Sequence, residues 1–278
     1  MAREWKRRLG DASSRVLAGN LYQGRAFLEA KEAARLAQSP LQIISAGLGL
    51  ISAVDEIPSY SLTISEGHAD SISRRVREAE DFKTCQWWTA LRSAGVRRRS
   101  LADEVASSRN GLFVLALSPV YLGLVMKDLL DLSSNNLERL RIIGPRKETD
   151  LPEELRHVYV PYDSRLDGKK SPHRGTESDF PQRAGRHFVE LLLRNPRTTT
   201  LKGQLKAFEN ELRDWPHKEV ISRMRMPEGE LRKIVKRVWR DVDGRPAAGL
   251  RRLRDEFEIA CEQKRFYRMF EEISAAKR

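Results

Sequence analysis

Cysteine is nearly absent from this 278-residue chain, which has only Cys85 and Cys261, far apart in sequence. Two such thiols supply neither a disulfide framework nor a zinc cluster, so small secreted disulfide scaffolds and zinc fingers are excluded. No apolar run approaches the roughly 20 residues that cross a bilayer. The opening Met1-Ala2-Arg3-Glu4-Trp5-Lys6 has no apolar signal core behind it, which predicts a cytoplasmic protein without membrane association. Histidine is scarce, and His68, His173 and His187 are too scattered to predict a metal site. No Walker motif, nucleophile elbow or His-Glu-x-x-His occurs, and the expectation is no cofactor and no bound metal.

What the chain has in excess is positive charge: 51 Lys and Arg against 39 Asp and Glu, a net +12. That sign disfavours cationic substrates and favours a polyanion, nucleic acid ahead of an acidic membrane surface. Hydrophobic residues make up 40% and charged residues 32%, enough for a packed core.

Four short apolar runs bounded by turn residues predict buried strands over 41–46, 112–117, 140–144 and 157–161. Helical spacing predicts helices over 24–37, with Phe27, Ala30, Ala34 and Ala37 on one stripe, over 68–91 and over 120–132. Strands alternating with helices predict an α/β domain over 1–195, with a small parallel four-stranded sheet flanked by helices. Right-handed crossovers would gather the strand carboxyl ends on one edge, where ligands bind. A basic, all-helical region is expected over 196–278. Its clearest helix, 228–242, turns Leu231, Ile234, Val235, Val238 and Trp239 inward and Arg232, Lys233, Lys236, Arg237 and Arg240 outward. A further helix, 259–275, buries Cys261, Phe266, Met269, Phe270 and Ile273 and carries Lys264 and Arg265. These cations read as contacts to a phosphate backbone, with an ordinary solvated helix face as the alternative.

The segment 45–60 is the most informative. Gly47 and Gly49 let the backbone leave the strand sharply and approach a ligand, and Ser45 and Tyr60 flank them. Asp55 and Glu56 follow in what reads as a loop at the strand's carboxyl edge. Asp163, after the fourth strand run, is a rival carboxylate, and the stretch 163–180 reads as a long mobile loop. Trp87 and Trp88, with Phe82 and Leu91 nearby, read as core. Arg97-Arg98-Arg99 reads as a solvated turn.

Three stretches carry a resemblance: Leu21-Tyr22-Gln23-Gly24-Arg25-Ala26-Phe27, then Ile44-Ser45-Ala46-Gly47-Leu48-Gly49-Leu50, then Ile57-Pro58-Ser59-Tyr60. Together they resemble an archaeosine-synthase-related family marked by Leu-Tyr-x-Ser-x-x-Phe, Leu-Ser-Ala-x-x-Gly-Leu and Pro-Tyr-Asp. Ala260-Cys261-Glu262-Gln263-Lys264-Arg265-Phe266 resembles a recurring end segment of such proteins. Ser61 stands where the family has Asp, and the family's N-terminal strand with a Cys is replaced by Trp5-Lys6-Arg7-Arg8. That family is similar to uracil-DNA glycosylases, and its nearest members in character are antiphage glycosylases that remove modified cytosine.

The resemblance implies a DNA glycosylase of uracil-DNA-glycosylase-like fold. Its substrate would be double-stranded phage DNA, with glucosylated hydroxymethylcytosine as the specific base. No obligate protein partner is implied. Two active loops would cover 45–60 and 161–186. A carboxylate would steady an oxocarbenium-like sugar or orient water, from Glu56, Asp55 or Asp163. Ser45, Gly47, Gly49 and Tyr60 would form the pocket for a flipped base, with Arg174 and Arg183 on the adjoining phosphates. Two other readings stay open: a base-exchanging transglycosylase of the 7-deazaguanine pathway, and a non-catalytic nucleic-acid-binding module.

Overall fold

The computed structural model describes residues 1–65, 68–75, 83–96, 99–108, 111–144, 150–219 and 222–276. The chain opens with α1 (Ala2–Gly10), β1 (Arg15–Leu17), α2 (Ala18–Leu21) and α3 (Arg25–Leu36). It continues through β2 (Gln42–Ser45), β3 (Gly49–Ser52), β4 (Glu56–Pro58), α4 (Thr84–Ser93) and α5 (Leu101–Ser107). Next come β5 (Phe113–Ala116), α6 (Pro119–Leu130), α7 (Ser134–Leu137), β6 (Leu140–Gly144), α8 (Glu153–Arg156) and β7 (Tyr159–Pro161). Among the described residues seven helical elements follow, beginning with a 3-10 turn at Ser164–Asp167 and another at Glu177–Asp179. The last five, all but those turns, are α9 (Phe180–Arg194), α10 (Leu201–Leu212), α11 (Glu228–Asp241), α12 (Pro246–Asp255) and α13 (Gln263–Ala275). Two compact units divide the chain, Met1–Lys218 and Glu219–Arg278, so α10 belongs to the first.

The parallel sheet has three strands in the order β5-β6-β7, not four. Its middle strand, β6, is apolar on both faces apart from Arg141 and is buried at every residue, as a covered parallel sheet requires. The expected first strand is present as β2 but pairs antiparallel with β3, Ser45 opposite Gly49 and Gln42 opposite Ser52. The sequence Gly-Leu-Ile-Ser that follows the turn holds buried Leu50 and Ile51, so it is a strand where a loop was expected. Gly49 takes φ +76°, which lets the chain reverse there. The Ser45 hydroxyl closes the turn by accepting from the Leu48 N–H at 3.0 Å. Glu56 to Pro58 is likewise a strand, paired with β1.

Helix α3 forms where expected but is only partly buried along its stripe. The helix expected over 68–91 is instead a 3-10 turn, Ile72–Arg75, followed by α4 from Thr84. Phe82 and Arg97-Arg98 lie outside the described residues. Trp87 and Trp88 are core, 3% and 2% exposed. Buried Asp128 on α6 is satisfied by three donors: Trp88 Nε1 at 3.1 Å, the Leu101 N–H at 2.8 Å and Arg92 Nη1 at 3.3 Å. One carboxylate thus joins α4, the start of α5, and α6.

The second unit packs α11, α12 and α13 around a core of its own, including Leu231, Val235, Val238, Leu253, Phe266 and Phe270. Gly249 admits the close approach of α12 to α13, because a Cβ there would stand 3.0 Å from the Phe270 ring.

Candidate active site and nucleic-acid face

The β2–β3 turn is capped by indoles. Trp87 Nε1 donates to the Ala46 carbonyl at 2.7 Å and Trp5 Nε1 donates to the Gly47 carbonyl at 2.6 Å. Gly47 lies flat against aromatic rings: a Cβ there would come 2.6 Å from the Tyr60 ring and 3.1 Å from that of Trp5. Trp5 meets Tyr60 edge-on, with ring centroids 5.9 Å apart. The Tyr60 hydroxyl links Ser45 Oγ at 2.5 Å and the Tyr22 hydroxyl at 2.7 Å. Burial, reinforced by the Tyr60 hydroxyl, pushes the Tyr22 phenol well above its usual range. Tyr121, in the first turn of α6 just beyond the carboxyl end of β5, is pushed up by burial and then by Tyr60, with a Thr63 hydrogen bond opposing. Ser45, Gly47 and Tyr60 therefore do come together, with Tyr22 bonded to Tyr60 and Tyr121 near enough to feel its charge. Trp5 covers them. Gly49 serves the turn instead of lining the ring face.

The first-segment acids are not aimed into that corner. Asp55 Oδ2 accepts from the Ser52 N–H at 2.9 Å, an ordinary turn closure. Glu56 is exposed on β4. Asp163, by contrast, follows β7 directly, at the carboxyl edge of the parallel sheet, with its side chain 40% exposed. It accepts from Arg165 Nε at 2.9 and 3.0 Å and from the Arg165 backbone at 2.9 Å. Burial works to raise its pKa, but the Arg165 hydrogen bonds and charge hold the carboxyl below its usual range, so it is ionised. His217 Nδ1 lies 3.9 Å from Asp163 Oδ1 and 2.8 Å from the Ser164 hydroxyl.

Arg183 corrects an expectation. Expected on a phosphate from the 161–186 loop, it is instead fully buried on α9 and ties the 163–180 stretch, expected to be mobile, into an ordered pair of 3-10 turns. Its guanidinium donates to Asp179 at 2.6 Å, to Asp167 at 2.8 Å, to the Thr176 carbonyl at 2.7 Å and to the His173 carbonyl. With four of its five donors engaged and the side chain fully buried, it is not placed to reach a phosphate. Arg174 is exposed, and its carbonyl receives a hydrogen bond from Arg25.

A polar network that the sequence does not announce lies beside this hub. His187 Nδ1 pairs with the Tyr162 hydroxyl at 2.7 Å, while buried Nε2 has no hydrogen-bond partner. His173 Nε2 meets Glu190 at 3.1 Å. Burial, then the neighbouring His173 and Arg194, lowers the His187 pKa to about 3. Burial also lowers that of His173, with Glu190 opposing. The His187 ring stays neutral in the folded chain down to about pH 3 but titrates near 6.5 when unfolded, and the lowered His173 acts in the same direction, so unfolding takes up protons below that pH. Stability to urea should fall as pH drops from about 6.5 towards 5, above the carboxylate range, by at most ~1.4 kcal/mol per pH unit from His187. A His187→Asn variant with the same slope in that window would show that this ring is not the cause.

In the second unit, Arg232 is paired with Glu272 at 2.6 Å and Arg265 with Glu228 at 3.3 Å, while Lys264 is exposed. Lys233, Lys236, Arg237 and Arg240 are all exposed and fall at i, i+3, i+4 and i+7, one stripe of α11 opposite Leu231, Val235 and Val238. Among the described residues, none of these four is in an ion pair. Replacing all four with alanine should flatten the dependence of log K on log salt for duplex DNA by roughly 3–4, as titrations between 50 and 200 mM salt would show.

A groove of about 530 Å³ beside α3 is lined by Leu28, Glu29, Lys31, Glu32, Arg35 and Arg186. Its acids are paired, Glu32 with Arg35 at 2.7 Å and Glu29 with Arg186 at 3.1 Å, which leaves little field for a charged ligand. Among the described residues no cluster of three His, Cys, Asp or Glu could hold a metal ion, and no helix is long and apolar enough to cross a membrane. No family model, no curated protein and no solved structure matches the chain.

Proposed function

We propose that the chain is a DNA glycosylase that hydrolyses the N-glycosidic bond of a modified base, with Asp163 as the carboxylate beneath the sugar. The observation that carries this reading is Asp163 itself: an ionised, solvent-reachable carboxylate at the carboxyl edge of the only parallel sheet among the described residues. As the glycosidic bond breaks, its electron pair leaves with the base. Positive charge builds on the sugar, where a fixed carboxylate stabilises it or orients the water that adds hydroxyl at the anomeric carbon. The proton from that water passes to solvent or to the departing base. Arg165 holds Asp163 in place, and the Ser45–Gly47–Tyr60 corner receives the extruded base.

The base class is a modified pyrimidine in phage DNA, and glucosylated hydroxymethylcytosine is the form to test. Incubation with such DNA beside unmodified DNA, with released base read by mass spectrometry and abasic sites by alkaline cleavage, decides the matter. Release from the modified DNA alone supports the reading. The cation stripe of α11 favours a second reading, a binding module without catalysis, and binding to both DNAs without release would select it.

A further inference from the structure

We propose that Trp5 is an internal stand-in for the nucleobase: α1 lays its indole in the Gly47–Tyr60 corner, and a planar nitrogen heterocycle with an N–H donor binds there when α1 lifts away. This rests on the reading of that corner as the base site, and adds how the site is closed. Three observations carry it.

The indole makes the contacts a base would make. Its ring N–H donates to the Gly47 carbonyl at 2.6 Å, as an amino or ring N–H of a base would, and its edge meets the Tyr60 ring. The space exists because residue 47 has no side chain, since a Cβ would collide with Tyr60 and crowd Trp5. A glycine that leaves room for one flat ring leaves room for another of similar width.

The helix that delivers the indole is lightly held. None of its residues is buried, and only Ala2, Trp5 and Leu9 along one side are even partly covered. Its charges satisfy one another, with Glu4 paired to Arg7 at 2.8 Å and to Arg8 at 3.0 Å, and Arg7 to Asp11 at 3.0 Å. A helix of nine residues has little stability of its own, so its docked form depends on the few contacts it makes.

The ring that meets the indole is tied into a polar chain. The Tyr60 hydroxyl bonds Ser45 Oγ at 2.5 Å and the Tyr22 hydroxyl at 2.7 Å. That chain fixes the tilt of the Tyr60 ring, so the face against the Gly47 carbonyl stays set for a flat ring.

The test uses the full chain carrying Trp5→Ala, with free indole and free 5-hydroxymethylcytosine as probes in isothermal titration, and circular dichroism as the check on folding. Saturable indole binding to the variant and not to the parent is expected. The base should displace the indole, and should bind the variant at least tenfold more tightly than the parent. Trp5→Phe, which keeps a ring in the corner, should bind indole no better than the parent. A folded Trp5→Ala chain that binds neither probe overturns the proposal. So does indole binding that the base cannot displace, and so does an unfolded variant, which would make α1 part of the core. Base release from modified DNA is read separately on the same proteins. Binding without release would leave the closed site standing while the glycosylase reading falls, and release without any gain in probe binding would do the reverse.

Discussion

Arg183→Ala should destabilise the first unit by about 3–5 kcal/mol, because it removes the buried cation that Asp179 and Asp167 share and leaves Asp179 only the half-exposed Arg25 at 3.3 Å. The loss goes beyond two ion pairs. The same guanidinium satisfies the carbonyls of His173 and Thr176, and Gly175 lies so close that a Cβ there would stand 2.4 Å from Arg183 Nε. Arg183→Lys should recover little of this, since a single ammonium cannot reach in the planar fork directions that four acceptors occupy. Urea denaturation at pH 7 followed by near-ultraviolet circular dichroism reads the effect. A change under about 1 kcal/mol would mean that the turns at 164–179 hold without their hub.

Asp163→Asn should lower base release by about 10²- to 10⁴-fold with the fold retained. Asparagine keeps the shape and loses the charge, and the Arg165 pair it weakens is partly exposed, worth no more than about 1 kcal/mol. Asp55→Asn and Glu56→Gln are the controls. One closes a turn and the other faces solvent, so both should leave release within about twofold, as expected of groups outside the reacting centre. Because Arg165 holds the Asp163 carboxyl low, release should persist as pH falls until that carboxyl protonates, below the ordinary aspartate value of about 3.9. Full release from Asp163→Asn, with loss in either control, would move the chemistry to the 45–60 segment.

Four strands, β2, β5, β6 and β7, were legible in sequence because β-branched runs bounded by turn residues announce burial whatever they pair with, whereas the short β1, β3 and β4 were not. Their partners were not. Nothing local distinguishes a first strand that enters a parallel sheet from one that folds back, and the decision at Gln42–Ser45 lies with the apolar pair Leu50-Ile51 beyond the turn. Composition misled over 163–180, where glycine, proline and serine suggest mobility. The residue that orders the stretch, Arg183, lies after it on α9 and looks like any surface arginine. In the candidate site, Ser45, Gly47 and Tyr60 were grouped by the resemblance carried in the 44–60 segment. Tyr22 and Trp5 were not recognisable as its neighbours, being 38 residues from Tyr60 and 42 from Gly47, distances only the fold closes. The second unit was the easiest to read, since an amphipathic helix states its inner and outer faces in its own period.

Asp128 has a bearing on how the first unit moves. Its carboxylate takes donors from α4, from the first residue of α5 and from within α6, so none of the three can leave the others without abandoning a buried charge. Opening in this region is therefore collective: the three helices separate together or not at all, as one cooperative block. The α1 helix shares none of those bonds, so undocking it would leave that block intact.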